Sequence, residues 1–390
     1  MPDRSPLRVG LPWHTLGHGN LGVDALTRAN IAIVKAAAER ICREVELVTL
    51  CSFGQVGEAN VPPGVTVGPQ PRIKPLLAGK SDYLAALRRC DLVLDIGEGD
   101  SWADIYGGKR FAFHAGTKIA ALALGKPLVL APQTIGPFDG AISRRVANAV
   151  MNRATAVFTR DALSTRFVAE QNLDCETAEF IDVAFRLPFV QQPRGGDRPR
   201  VGLNVSGLLY RGGYSGRNEL GMKLNYAEFT HQLIASLHAR GAEIHLVPHV
   251  IGEAGSNDND RSVVPVLLER FPDLKVQDTF ADASAAKSFM SGLDFVVGGR
   301  MHACIGAFSA RTPVVPIAYS RKFNGLFGTL GYGHFVDGKA VDTAEAVAQT
   351  LACYDKREIL AGDIDKGLVI AAQRLDAYEA RLAAILAGLA

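Results

Sequence analysis

Residues 294–304 read DFVVGGRMHAC, an apolar strand followed by a glycine pair and then Arg300 and His302 at the opening of a helix. A glycine pair lets a ligand come close to the backbone, and a helix N-terminus favours negative charge. A histidine there can move a proton near neutral pH. The plainer alternative is a partly buried histidine satisfied by a backbone carbonyl. Further on, residues 317–325 read IAYSRKFNG, so that Tyr319, Arg321 and Lys322 follow another strand. From there Lys322 can converge with Arg300 and His302, because ligands of open α/β sheets bind beyond the carboxyl ends of adjacent strands.

The first half of the chain offers acids and one well-placed arginine. Residues 95–104, DIGEGDSWAD, put Asp100 and Asp104 in a glycine-containing loop after an apolar strand. Carboxylates at a strand end can bind sugar hydroxyls or act as acid and base; a turn with solvated acids is the alternative. Metal binding is disfavoured, since no histidine or further acid sits at ligand spacing nearby. In TRDALS, residues 159–164, Arg160 leaves a strand end while Asp161 and Ser164 can cap the next helix. A guanidinium fork at that place suits a phosphate or carboxylate; a salt bridge to Asp182 is the competing use. QTIGPF, residues 133–138, follows a strand, with Gly136-Pro137 closing its turn.

GHGNLG, residues 17–22, has the G-x-G-x-x-G spacing before a helix, where N–H groups could meet an anion. The next strand ends Leu50, Cys51, Ser52, without the acid a dinucleotide-binding unit wants. A ligand-lining loop around Asn20 and a simple strand-helix turn both stand. His245 suits a core or rim position, and His249 could line a cleft.

These residues are spaced by elements of two alternating kinds. Short Val-, Ile- and Leu-rich runs at 7–12, 45–50, 92–96, 128–131 and 156–159 read as buried parallel strands, and residues 24–44 as an amphipathic helix. A second series follows at 201–205, 226–240 (a helix), 243–247, 294–297 and 314–318, and residues 364–389 read as a long helix. The polar, Pro- and Gly-containing stretch QQPRGGDRP, residues 191–199, separates the two series. The predicted architecture is therefore α/β with two Rossmann-like lobes: 1–192, 200–350, and a helical segment 351–390 able to pack back on the first lobe.

A chain of 390 residues is about twice a usual domain, which fits this division. Forty-two basic and forty acidic residues give a net charge of +2, too little for a nucleic-acid footprint. The six cysteines form no C-x-x-C pair and read as reduced core residues. No apolar run is long enough to span a membrane, and the first residues lack the apolar stretch of a secretory signal, so a cytoplasmic protein is expected.

Taken together, residues 20–26, DIGEGDSWAD, QTIGPF, TRDALS, DVAFRL (182–187), GGRMHAC and AYSRKFNG resemble the polysaccharide pyruvyltransferase family, in that family's order from about residue 17 to residue 330. The resemblance implies a fold similar to the GT-B glycosyltransferase architecture. It implies phosphoenolpyruvate as co-substrate, no resident cofactor, and a sugar hydroxyl pair as acceptor. Arg160, Arg300 and Lys322 would hold the donor's anionic groups, His302 would donate or accept the proton, and Asp100 or Asp104 would orient or deprotonate the acceptor. Asn20, Gly136, Ser164, Gly299 and Tyr319 would complete the substrate contacts. Two departures stand out: Glu98 occupies a usual glycine position, and Val23 a usual acid. A lipid-linked acceptor, peripheral contact with the inner face of the cytoplasmic membrane, and a homo-oligomer are compatible with the sequence. The rival expectations are a nucleotide-sugar glycosyltransferase of the same architecture, weakened because residues 299–312 contain no acid, and a non-catalytic sugar-binding or scaffold protein.

Overall fold

Runs such as LVLAPQ at Leu128–Gln133 are buried at every residue, as parallel strands covered by helices on both faces must be. The computed structural model describes residues 5–50, 60–72, 81–252, 255–277 and 279–389, with the backbone alone at 321, 322 and 324. Strands β1 (Leu7–Pro12), β2 (Val45–Leu50), β3 (Val65–Val67), β4 (Leu92–Asp95), β5 (Leu128–Gln133), β6 (Ala156–Thr159) and β7 (Glu176–Glu179) form one sheet. Its order is β3-β2-β1-β4-β5-β6-β7, and every pairing is parallel. Strands β8 (Arg200–Asn204), β9 (Glu243–Leu246), β10 (Lys275–Val276), β11 (Phe295–Gly298), β12 (Val314–Ala318) and β13 (Val336–Asp337) form a second parallel sheet. Its order, β10-β9-β8-β11-β12-β13, repeats the pattern.

Both sheets are therefore doubly wound. The strand order reverses between β1 and β4 in the first and between β8 and β11 in the second, and such reversals open a crevice at the carboxyl ends of the strands. Compact unit 1 comprises Met1–His18, Leu26–Arg186 and Ala372–Ala390; unit 2 comprises Gly19–Ala25 and Leu187–Ala371. This division falls earlier than the polar stretch 191–199, which is laced onto unit 2. There Gln192 N–H donates to Ser291 Oγ, and the Arg194 guanidinium donates to the carbonyls of Ala310 and Arg311.

Helix Leu21–Arg40 begins three residues before the expected start, because the Asn20 side chain accepts the Gly22 N–H at 2.9 Å. It also ends sooner, at a turn where Cys42 takes φ 51° and Arg43 N–H folds back on the Ala38 carbonyl. Cys42 is exposed there, while Cys90 and Cys304 are buried as expected. The last helix, Arg357–Ala387, starts before residue 364. Its later part docks within unit 1: Tyr378 Oη donates to Asn30 Oδ1 at 3.0 Å, and Arg374 pairs with Glu179 at 2.8 Å. Tyr378, Leu382 and Leu386 are fully buried. Among the described residues no helix is long and apolar enough to cross a membrane.

Candidate active site

At the end of β11, the two glycines answer a packing demand inside unit 2. A Cβ at Gly298 would stand 2.5 Å from Cys304 Sγ, and one at Gly299 2.6 Å from the Tyr226 hydroxyl and 2.9 Å from Ser206 Cβ. What approaches this backbone is protein. The chain then turns into helix Met301–Ser309, with Arg300 as its N-cap residue and its N–H held by Asn204 Oδ1 at 2.9 Å.

The Arg300 fork, expected to hold a ligand anion, is taken up by two carboxylates. Nε and Nη2 donate to Asp260 Oδ1 at 3.1 and 2.7 Å, and Nη1 pairs with Asp258 Oδ1 at 2.6 Å. Burial works against the guanidinium charge, but Asp260 and then Asp258 more than offset it, so its affinity for its proton rises. Asp260 is the hub of this corner. Its Oδ1 also accepts the Gly207 N–H, and its Oδ2 accepts the N–H groups of His249 and Val250, each at 3.0 Å. Removing one partner of such a buried pair typically costs about 3–5 kcal/mol. Neither acid was expected from the sequence. The available signal was the NDND run at 257–260, two acids that a buried strand-end arginine would need.

His302, the second residue of the helix, is partly buried and lies against Gly22. A Cβ at Gly22 would stand 2.5 Å from His302 Nδ1 and 2.8 Å from its Cγ. A Cβ at Gly19 would stand 2.3 Å from the Ile251 carbonyl oxygen. Gly19 and Gly22 of GHGNLG thus permit close packing within unit 2. The helix donors that could have met an anion are occupied: Leu21 N–H donates to the His249 carbonyl, Gly22 N–H to Asn20 Oδ1, and Val23 and Asp24 N–H to the Asn20 carbonyl. The expectation of an anion at this helix start is corrected accordingly, and Asn20 acts as its cap. Asp24 accepts the Ala283 N–H at 2.9 Å.

His249 is 3% exposed. Burial, reinforced by the neighbouring His302, pushes its pKa down to about 3. Both of its ring nitrogens are buried without a hydrogen-bond partner among the described residues. Leaving a buried donor unpaired costs about 1–3 kcal/mol. Lys322 lies on helix Arg321–Thr329, beyond β12; its side chain is outside the described ones. Tyr319 ends the same strand run, its ring 5.3 Å from that of Phe323.

In unit 1 the loops after β4, β5 and β6 meet. Thr134 N–H donates to the Gly99 carbonyl, and Gly136 N–H to the Trp102 carbonyl. Ser164 Oγ accepts the Ile135 N–H at 3.0 Å and donates to Asp161, so Ser164 ties two loops together. Gly136, at φ 72°, leaves room for the Phe167 ring, which a Cβ would meet at 3.0 Å. Arg160 forms the salt bridge weighed above, Nη1 to Asp182 Oδ2 at 2.6 Å, and its Nε donates to Thr134 Oγ1. Gly99 packs on that guanidinium; a Cβ there would be 3.1 Å from Nη1.

Of the acids in this loop, Asp100 accepts the Tyr106 hydroxyl at 2.8 Å. Asp104 accepts the N–H groups of Asp139 and Gly140 at 3.0 and 2.9 Å, bracing the loop after β5. Slight burial opposes these two bonds, which hold its carboxyl below the usual range. Glu98 adopts φ 50°, a conformation that favours glycine, which accounts for the usual residue at that position. Its carboxylate is raised by burial against the pull of Arg110, 2.5 Å away. Beneath the loop, buried Asp95 pairs with Lys118 at 2.9 Å, and Lys118 lies over the Trp102 ring at 4.4 Å. The described residues contain no group of His, Cys, Asp and Glu able to hold a metal.

Comparisons with known proteins identify the family and the fold. A family model described as polysaccharide pyruvyl transferase matches residues 20–321. The amylovoran biosynthesis protein AmsJ of Erwinia amylovora is 23% identical over 261 residues, 63% of this chain, and the match spans 60% of that relative's length. Among solved structures, HepE of Anabaena, in complex with UDP-glucose, superposes with a TM-score of 0.58 at 14% identity, covering 98% of this chain and all of its own. The UDP-GlcNAc 2-epimerase of Neisseria meningitidis, bound to UDP-GlcNAc, gives 0.58 at 9% identity, over 98% of this chain and 99% of its own. At such identities these likenesses establish the fold, two Rossmann-like α/β units of the GT-B kind.

Proposed function

The chain belongs to the polysaccharide pyruvyl transferase family, and we propose that it moves a pyruvyl group from phosphoenolpyruvate onto two hydroxyls of a saccharide, forming a pyruvate ketal during exopolysaccharide assembly. The relative involved in amylovoran biosynthesis supports that setting. In the proposed reaction a proton adds to the donor's methylene carbon, making it a methyl group, while one sugar hydroxyl attacks the adjacent carbon and gives up its own proton. The second hydroxyl then closes the ring as phosphate leaves, and its proton goes out with the phosphate. No redox change occurs, and the donor is a co-substrate, so the chemistry calls for no resident cofactor.

His302 is the proposed proton donor. The observation that carries this is its place: a partly buried imidazole in the first turn beyond β11, beside the strand-order reversal of unit 2, pressed into position by Gly22. Arg160 and Lys322 are proposed as contacts for the donor's anionic groups, and Asp100 as an acceptor contact. Arg300 keeps its charge through Asp260 and Asp258 and is proposed to brace the loop that carries His249. A saccharide presented on a lipid carrier would bring the protein to a membrane face peripherally.

The test incubates the purified protein with phosphoenolpyruvate and candidate glycosides, following phosphate release and the mass of the product. Phosphate release matched by pyruvyl addition supports the proposal. Sugar transfer from a nucleotide donor, without either change, overturns it. His302→Ala is expected to slow the reaction by about 10²-fold or more in a protein that still folds.

A further inference from the structure

Four features of unit 2 converge on His249. Its imidazole is 3% exposed, and both ring nitrogens are buried with no hydrogen-bond partner among the described residues. Its backbone is fixed on both sides: the N–H donates to Asp260 Oδ2 at 3.0 Å, and the carbonyl accepts the Leu21 N–H at 3.0 Å. The other oxygen of that same carboxylate holds the Arg300 fork, two residues before His302. The chain next to Leu21 is closed on His302 by Gly22.

A histidine kept only for packing would be expected to place at least one ring nitrogen on a protein acceptor or donor. Here Leu21 and the Asp260 hub fix the backbone that carries the ring, while its polar atoms meet no hydrogen-bond partner among the described residues. We propose that His249 is a second ligand-binding imidazole of this site, donating a hydrogen bond from its neutral ring to a phosphate or carboxylate oxygen of phosphoenolpyruvate. The inference rests on the function proposed above. It assigns different tasks to two neighbouring rings: His302 moves the proton, and His249 supplies a fixed dipole that does not compete for it. A cation at position 249 would stand among Arg300 and His302; a neutral donor adds directionality without further charge.

The experiment measures phosphoenolpyruvate binding calorimetrically for the wild-type chain and for His249→Phe, His249→Asn and His249→Gln, with thermal unfolding of each. Phenylalanine fills the ring's space and removes both unpaired nitrogens, so a packing role predicts equal or higher stability with unchanged binding. The expected result is equal or higher stability with affinity weakened by about tenfold or more, and partial recovery in whichever amide variant returns an N–H to the right place. Binding within about twofold of wild type in a folded His249→Phe chain overturns the assignment. Should the phenylalanine variant not fold, binding by both amide variants equal to that of wild type, or equally lost in both, overturns it as well. A wild-type chain that neither binds phosphoenolpyruvate nor releases phosphate from it overturns the proposed function, and this inference with it; normal wild-type binding alongside normal variant binding removes only the role of His249.

Discussion

Gly22 presses on the imidazole of His302: a side chain's first carbon at residue 22 would come within 2.5 Å of Nδ1. Gly22→Ala therefore has to displace the ring. A misplacement of about 1 Å at a reacting group can cost 10²-fold, so phosphate release should fall by about that factor. Stability should change little, because alanine in a helix recovers about 0.5–1 kcal/mol over glycine. Rates of phosphate release set beside unfolding midpoints check this, and an unimpaired Gly22→Ala chain would detach His302 from the reaction.

Asp260 and Asp258 both pair with Arg300 but differ in burial, their side chains being 0% and 35% exposed. Asp260→Ala leaves a buried guanidinium and several N–H groups without their acceptor and is expected to destabilise unit 2 by about 3–5 kcal/mol. Asp258→Ala should cost clearly less. Urea unfolding of the two variants reads the difference, and equal losses would contradict the hub role of Asp260.

Arg160 and Asp182 make the corresponding pair in unit 1, with side chains 5% and 0% exposed. Arg160→Ala should destabilise by about 3–5 kcal/mol, and the double change with Asp182→Ala by less than the sum of the two single changes. A double-mutant cycle that is strictly additive would show the contact to be idle. The proposed anion-binding role is read separately, as weakened phosphoenolpyruvate affinity of the Arg160→Lys chain, which keeps the charge and loses the fork.

Two buried histidines set an acid limit. Burial lowers the pKa of His14 from 6.5 to about 4 and that of His249 from 6.5 to about 3. Both are neutral when folded, while the unfolded chain binds protons below 6.5, so stability is full above that value and declines as pH falls toward 4 and 3. The slope is at most about 1.4 kcal/mol per pH unit for each group. Urea midpoints at about pH 7 and about pH 5 should differ in that direction, and His249→Phe should flatten the dependence. An unchanged slope in that variant would mean that the ring is protonated in the folded state.

The central strands were legible because both faces of a parallel sheet are buried: β1, β2, β6 and β12 fall where the apolar runs do. The edge strands β3, β7, β10 and β13 were not. ETAE at β7 and the two residues of β10 carry no apolar run, since an edge strand has a neighbour on one side only. Within the site, His302 and the loops after β4, β5 and β6 could be found from residues at strand ends. The occupation of the Arg300 fork could not, because its acids sit some 40 residues upstream in a run that reads as a polar loop. The G-x-G-x-x-G spacing serves equally for a ligand's approach and for a side chain's, and only coordinates show that an imidazole and a carbonyl fill it.

The docking of the last helix within unit 1 bears on how the protein can be dissected. Tyr378 covers Phe158 and Phe180, with ring centroids at 5.8 and 5.3 Å, and Leu382 and Leu386 of the same helix are fully buried. A recombinant fragment ending at residue 186 would bare that surface and strand the Asn30 amide, inviting aggregation. The first Rossmann-like unit is not a contiguous gene segment, and excising it in soluble form requires splicing the terminal helix back on.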